Sequence, residues 1–197
     1  MALGIDELVE ITNTFVLRLS LGNLVLIGHS MGGLVALLYI QRYGDHVHGF
    51  INVEGNLASE DCFISREVTK YGPSEFMETG FRNVKHLLSQ SENKGFQKYV
   101  KTLERYSSPK AISDYSPSLV SYSDDGNLIQ QFTQLKIPKI FIHGSENKSL
   151  SYIPQLEEKG CDVVEIPKSS HFPFYDNPRH YYRAISDFLN EGLVAIR

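Results

Sequence analysis

Gly28-His29-Ser30-Met31-Gly32 follows directly on the apolar run Leu24-Val25-Leu26-Ile27 and is followed by a second apolar stretch, Leu34–Ile40. The five residues have the form G-x-S-x-G, in which a strand turns sharply through a serine into a helix. A serine at such a turn has a strained backbone, so its flanking positions must carry little side chain where strand and helix pass close. In a chain of 197 residues chance alone gives the pattern about one time in ten, so the surroundings must carry the weight. Leu24–Ile27 reads as a buried parallel strand, and Leu34–Ile40 as a helix apolar on nearly every face.

The length fits one domain, or one domain with an inserted lobe, and allows a substantial core. Net charge is −4 and the isoelectric point about 6.0, with Lys and Arg spread thinly. That balance points away from nucleic acid and from anionic membranes as partners. Cys62 and Cys161 lie far apart without metal-ligand spacing, so both read as packing thiols and the expected setting is reduced and cytoplasmic. No leader pattern and no membrane-spanning apolar run is visible, and neither a metal nor a cofactor is expected.

Along the chain, Ile5, Leu8, Ile11, Phe15 and Leu19 recur at helical spacing up to Gly22-Asn23. After the serine turn and its helix comes Val47–Val53, an apolar strand ending in Glu54-Gly55-Asn56, which completes a strand–helix–parallel strand unit. From Ala58 to about Lys136 the pattern is polar, helical in period and rich in turn signals such as Ser108-Pro109. Its expected helices are Ser74–Leu88, Gly95–Tyr106 and Leu128–Leu135. The segment is too long for a loop and reads as a helical lid inserted between sheet strands. Strands resume at Lys139–His143 and Val163–Ile166, with a helix from about Tyr152 to Lys159 between them. Ser169-Ser170-His171-Phe172-Pro173 is a loop, and Asn177-Pro178 starts a last helix, Arg179–Leu189.

The turn at Gly28–Gly32, the inserted helical segment and the histidine loop before the last helix make the chain resemble the α/β-hydrolase superfamily, over nearly its whole length. The resemblance implies a parallel sheet flanked by helices, with a core of residues 1–57 and 137–197 and a lid of residues 58–136. It also implies that Ser30 is the nucleophile. Of the seven histidines, His171 occupies the loop after the last strand where the family carries its base. His29 neighbours the nucleophile and is expected to point elsewhere. His143 is expected to be structural.

The family commonly takes its acid from a G-x-x-D after the strand that follows the lid. Here the slot reads Gly144-Ser145-Glu146-Asn147, without the carboxylate. Some members, haloalkane dehalogenases among them, use the end of the preceding strand, and that position is Glu54. A charge closing an apolar run between glycine and asparagine is poorly placed as an incidental one. Glu54 is therefore the expected acid, Glu146 the runner-up, and Asp61 a third that would instead anchor the start of the lid. The backbone N–H of Met31 is the implied oxyanion donor, helped by the dipole of its helix.

The family's pattern also puts four strands ahead of the helix that leads into the serine strand, and this sequence begins at that helix. The expectation is a sheet without its N-terminal half, without the loop that gives the second oxyanion donor, and with Leu24–Ile27 on an edge open to self-association. The resemblance implies a serine hydrolase that acts on a small carboxylic ester through an acyl-enzyme, under a lid whose aromatics mostly pack and partly line the acyl pocket. The competing reading is a weak or inactive relative, an interaction module or a gene-model fragment.

Overall fold

The computed structural model describes residues 3–192. Helix α1 (Ile5–Arg18) leads into strand β1 (Leu24–His29), the serine turn and helix α2 (Met31–Tyr43). Strand β2 (Val47–Val53) follows. Its seven residues include only one exposed side chain. Helices α3 (Phe63–Val68), α4 (Pro73–Glu75), α5 (Phe81–Ser89), α6 (Lys94–Tyr106), α7 (Pro109–Asp124) and α8 (Leu128–Gln134) fill the interval before strand β3 (Lys139–Gly144). Helix α9 (Ile153–Glu158), strand β4 (Asp162–Ile166), the short α10 (Pro173–Asp176) and α11 (Pro178–Asp187) follow, with a last π turn at Phe188–Gly192.

The four strands are parallel in the order β1-β2-β3-β4. Their register aligns His29 with Val53, Val53 with Ile142 and Gly144 with Ile166, so the C-terminal strand ends and the loops beyond them come together. In open parallel sheets that is the edge where ligands bind. One sheet face packs Phe50 and Phe141 against Leu34, Leu37, Phe132 and Tyr152. The other packs Ile51, Val53, Ile140 and Ile142 against Tyr181, Ile185 and Phe188. The helices between β2 and β3 have their own small core around Phe76, Val84, Leu103 and Ile112.

Three expectations need correction. Leu24–Ile27 is not fully buried: among the described residues β1 pairs with β2 alone, and Ile27 is 50% exposed. Ser108-Pro109 opens a helix instead of breaking one. Ser108 Oγ accepts from Ala111 N at 3.4 Å, and Pro109 takes the first helical position, where its missing N–H costs nothing. Ser74–Leu88 is a helical run interrupted by a wide π turn at Phe76–Gly80.

Candidate active site

Ser30 sits between β1 and α2 with φ 52° and ψ −126°, a strained conformation for a residue with a side chain. Its N–H donates to the Val53 carbonyl at 3.1 Å, while its own carbonyl accepts from Gly33 N at 2.8 Å and Asn56 N at 3.3 Å. These bonds to the end of β2 and the loop after it hold the strain in place. A Cβ at Gly28 would lie 2.5 Å from the Gly32 carbonyl oxygen, so the strand side of the motif needs glycine. The helix side differs from expectation, since a Cβ at Gly32 would meet nothing within 4 Å. The crowded position is Gly33, where a Cβ would fall 2.5 Å from the Gly55 Cα. Met31 is the first residue of α2, so its N–H belongs to the helix end that has no intrahelical acceptor.

At the end of β2, Glu54 adopts φ 45° and is only 4% exposed. Its carboxylate accepts from Gly144 N at 2.7 Å on one oxygen, and from Asn147 Nδ2 at 2.7 Å on the other. The second oxygen also meets His171 Nδ1 at 2.9 Å. A carboxylate only accepts, so His171 carries its proton on Nδ1 and leaves Nε2 free to exchange one. A buried carboxylate without donors would be costly, and this one is met on both oxygens. Asn147, which the sequence presents as a missing acid, is one of those donors.

His29 does not point away from the site. Its Nε2 donates to the His171 carbonyl at 2.8 Å, and its ring lies 4.7 Å from the His171 ring. Burial, and after it the neighbouring His171, depress its pKa to about 3, so it holds the His171 loop as a neutral donor. His143 is buried at the end of β3, stacked on Phe141, with Nδ1 donating to the Gly144 carbonyl at 3.0 Å. Among the other histidines, His46 bonds Tyr39, His48 bonds Asn23, and His86 and His180 are exposed.

Ser30, Met31 and His171 line one cavity of about 160 Å³, together with Ile64, Tyr99 and Leu119. Phe63 and Phe96 stand beside His171, with ring centroids 5.2 and 6.4 Å away. Tyr99 and Tyr115 reach the cavity as well, and burial raises both their pKa values. Phe76 and Phe81 pack within the helical segment instead, and Tyr122 bonds Asp6.

The two other candidate acids lie elsewhere. Glu146 is exposed, and only its backbone N–H reaches the base loop, at the Ser169 carbonyl. Asp61 Oδ2 accepts from Leu57 N and Ala58 N at 2.8 Å, and Oδ1 accepts from Tyr152 OH at 2.9 Å. It ties the start of the helical segment to the loop before α9, and burial lifts its pKa to about 6. Cys62 and Cys161 are buried and unpaired.

The sequence matches the family described as alpha/beta hydrolase fold over residues 2–178. By sequence it is similar to the 1-acylglycerol-3-phosphate O-acyltransferase of Arabidopsis thaliana, 25% identical over 207 residues. That match covers 84% of this chain and 49% of the plant protein, so the chain spans about half the length of that relative. An esterase from Exiguobacterium antarcticum matches with a TM-score of 0.71 at 15% identity, covering 97% of this chain and 75% of the esterase. Bromoperoxidase from Bacillus anthracis matches with a TM-score of 0.74 at 17% identity, covering 97% of this chain and 76% of the other. At these identities the structural likeness concerns the fold alone.

Proposed function

This chain belongs to the α/β-hydrolase fold family, and on that premise we propose that it is a serine hydrolase cleaving a small carboxylic ester at Ser30. His171 Nε2 takes the Ser30 hydroxyl proton as Oγ bonds the acyl carbon, and then gives that proton to the departing alcohol oxygen. Water, deprotonated by the same nitrogen, adds to the acyl-enzyme, and the carbon–Oγ bond breaks as that nitrogen returns the proton to Oγ, releasing the acid and restoring Ser30. Glu54 holds the imidazole in the tautomer that this sequence of transfers needs, and stabilises its cation. The Met31 N–H faces the developing oxyanion, a donor of the kind typically worth about 3–4 kcal/mol.

One observation carries the reading. A buried carboxylate holds His171 by Nδ1 at 2.9 Å, and the same histidine lines the cavity that the strained Ser30 shares. The cavity's size supports a short acyl group, since about 160 Å³ is well below the roughly 300–1,000 Å³ of sites for larger ligands. Labelling with a fluorophosphonate tests it: the wild type should label and Ser30→Ala should not. Absence of Ser30-dependent labelling would leave the chain as a non-catalytic interaction module.

A second reading shares the acyl-enzyme but delivers the acyl group to an alcohol instead of water. The name of the Arabidopsis relative favours it. Product analysis with and without an added alcohol acceptor separates the two. The open side of β1 further suggests self-association. Size-exclusion chromatography would show a dimer or larger species, and a clean monomer would refute it.

A further inference from the structure

The loop carrying His171 is fastened by a carboxylate that plays no part in the proposed chemistry. Asp176, at the end of α10, accepts from the backbone N–H of Ser170 at 3.0 Å, immediately before the base. The same oxygen accepts from Asn93 Nδ2 at 3.0 Å, and the other oxygen accepts from Gly95 N at 2.9 Å. Asn93 caps α6 through its Oδ1, which accepts from Phe96 N at 3.1 Å. One side chain thus joins the base loop to the first turn of a helix some eighty positions away in sequence.

The fit around this joint is tight. A Cβ at Gly95 would come within 2.8 Å of both Asp176 Oδ1 and the Phe172 Cβ. Beyond it, the Phe96 and Tyr99 rings of α6 pack on Phe172 with centroids 5.0 and 4.7 Å away. Tyr99 continues into the cavity that holds Ser30. The helix that forms part of the cavity wall and the loop that carries His171 are therefore joined by both hydrogen bonds and packing.

We propose that Asp176 is a positioning residue for His171: its carboxylate locks the base loop to the N-terminus of α6, so that His171 faces Ser30 only while α6 covers the cavity. This rests on the reading of His171 as the base. Packing alone would not require an acceptor at this point. The geometry does, because Ser170 N, Asn93 Nδ2 and Gly95 N are three donors converging on one carboxylate.

The test uses four proteins: wild type, Asp176→Ala, Gly95→Ala and Tyr152→Phe. The last removes the Asp61–Tyr152 bond, a tie between the helical segment and the core that does not involve the base loop. Asp176→Ala should slow fluorophosphonate labelling of Ser30 about 10- to 100-fold and shift the midpoint of its pH profile. Gly95→Ala, which leaves every bonding side chain intact, should slow it in the same direction. Tyr152→Phe should label within about twofold of wild type. Amide hydrogen exchange adds a readout that needs no activity: in Asp176→Ala, residues 168–176 and 93–96 should lose protection together. Labelling of Asp176→Ala within twofold of wild type would overturn the proposal, and so would independent exchange of the two segments. Coupled exchange in a wild type that does not label would keep the joint and overturn the hydrolase reading instead.

Discussion

Two carboxylates follow β2, and they are built alike but used differently. Glu54 and Asp61 both sit largely out of solvent, and each accepts from two N–H donors that fix its orientation. The third partner separates them. For Glu54 it is the His171 imidazole, which also lines the cavity that Ser30 shares. For Asp61 it is the Tyr152 phenol, whose pKa burial raises further above its ordinary value, so this partner stays protonated at physiological pH. On the proposed reading one junction orients the base, and the other anchors the entry to the helical segment. The carboxylate supplies a fixed acceptor in both, and its neighbour decides what that acceptor does.

Substitutions at the two junctions should therefore fail in different ways. Glu54→Gln keeps the shape but removes the charge that faces the imidazole, and kcat should drop about 10⁴-fold with the fold intact, as loss of the acid does in other triads. Equal loss from Asp61→Asn would break the distinction. Asn147→Ala removes a single donor from Glu54, and a weakened buried hydrogen bond of about 1.4 kcal/mol corresponds to a tenfold fall in kcat. Steady-state kinetics on a short-chain ester would read both.

Asp61 predicts a smaller effect, on stability and not on rate. Its folded pKa of about 6 lies above the ordinary 3.8. Its contribution is therefore fully present below about pH 3.8 and is lost as pH rises through about 6, because the ionised form is the one that burial penalises. Asp61→Asn cannot ionise, and its amide oxygen can still accept from Leu57 and Ala58. The stability of the variant relative to wild type should rise by about 1–2 kcal/mol between pH 4 and pH 7, measured by urea unfolding at both values. A constant difference across that range would mean that Asp61 does not titrate there.

Much of the fold was legible because its signals are local. The apolar runs of β2 and β3, the serine turn and the N-cap at Asn177 each declare themselves within a few residues. Glu54 was legible for the same reason, as a charge ending an apolar strand. Asn147 and Asp176 are not, because Asn147 bonds Glu54 about ninety positions away and Asp176 joins nearby Ser170 to Asn93 and Gly95 some eighty positions away. His29 is not legible as a neighbour of the site, since its partner is a backbone carbonyl of the distant His171 loop. The second tight glycine is Gly33 and not Gly32, because the crowding comes from Gly55 beyond β2 and not from the motif itself. Helix α7 is hidden because Ser108-Pro109 reads locally as a turn, whereas it caps and opens the helix.

The central claim is that Glu54, and not Glu146, orients the base that activates Ser30. The most direct measurement compares the second-order rate of fluorophosphonate labelling in wild type, Glu54→Gln and Glu146→Gln at pH 7.5, with each protein checked for native circular dichroism. Glu54→Gln should label at least about 100-fold more slowly, while Glu146→Gln, whose side chain is exposed and away from His171, should match wild type within about twofold. Slow labelling of Glu146→Gln beside an unaffected Glu54→Gln would contradict the account.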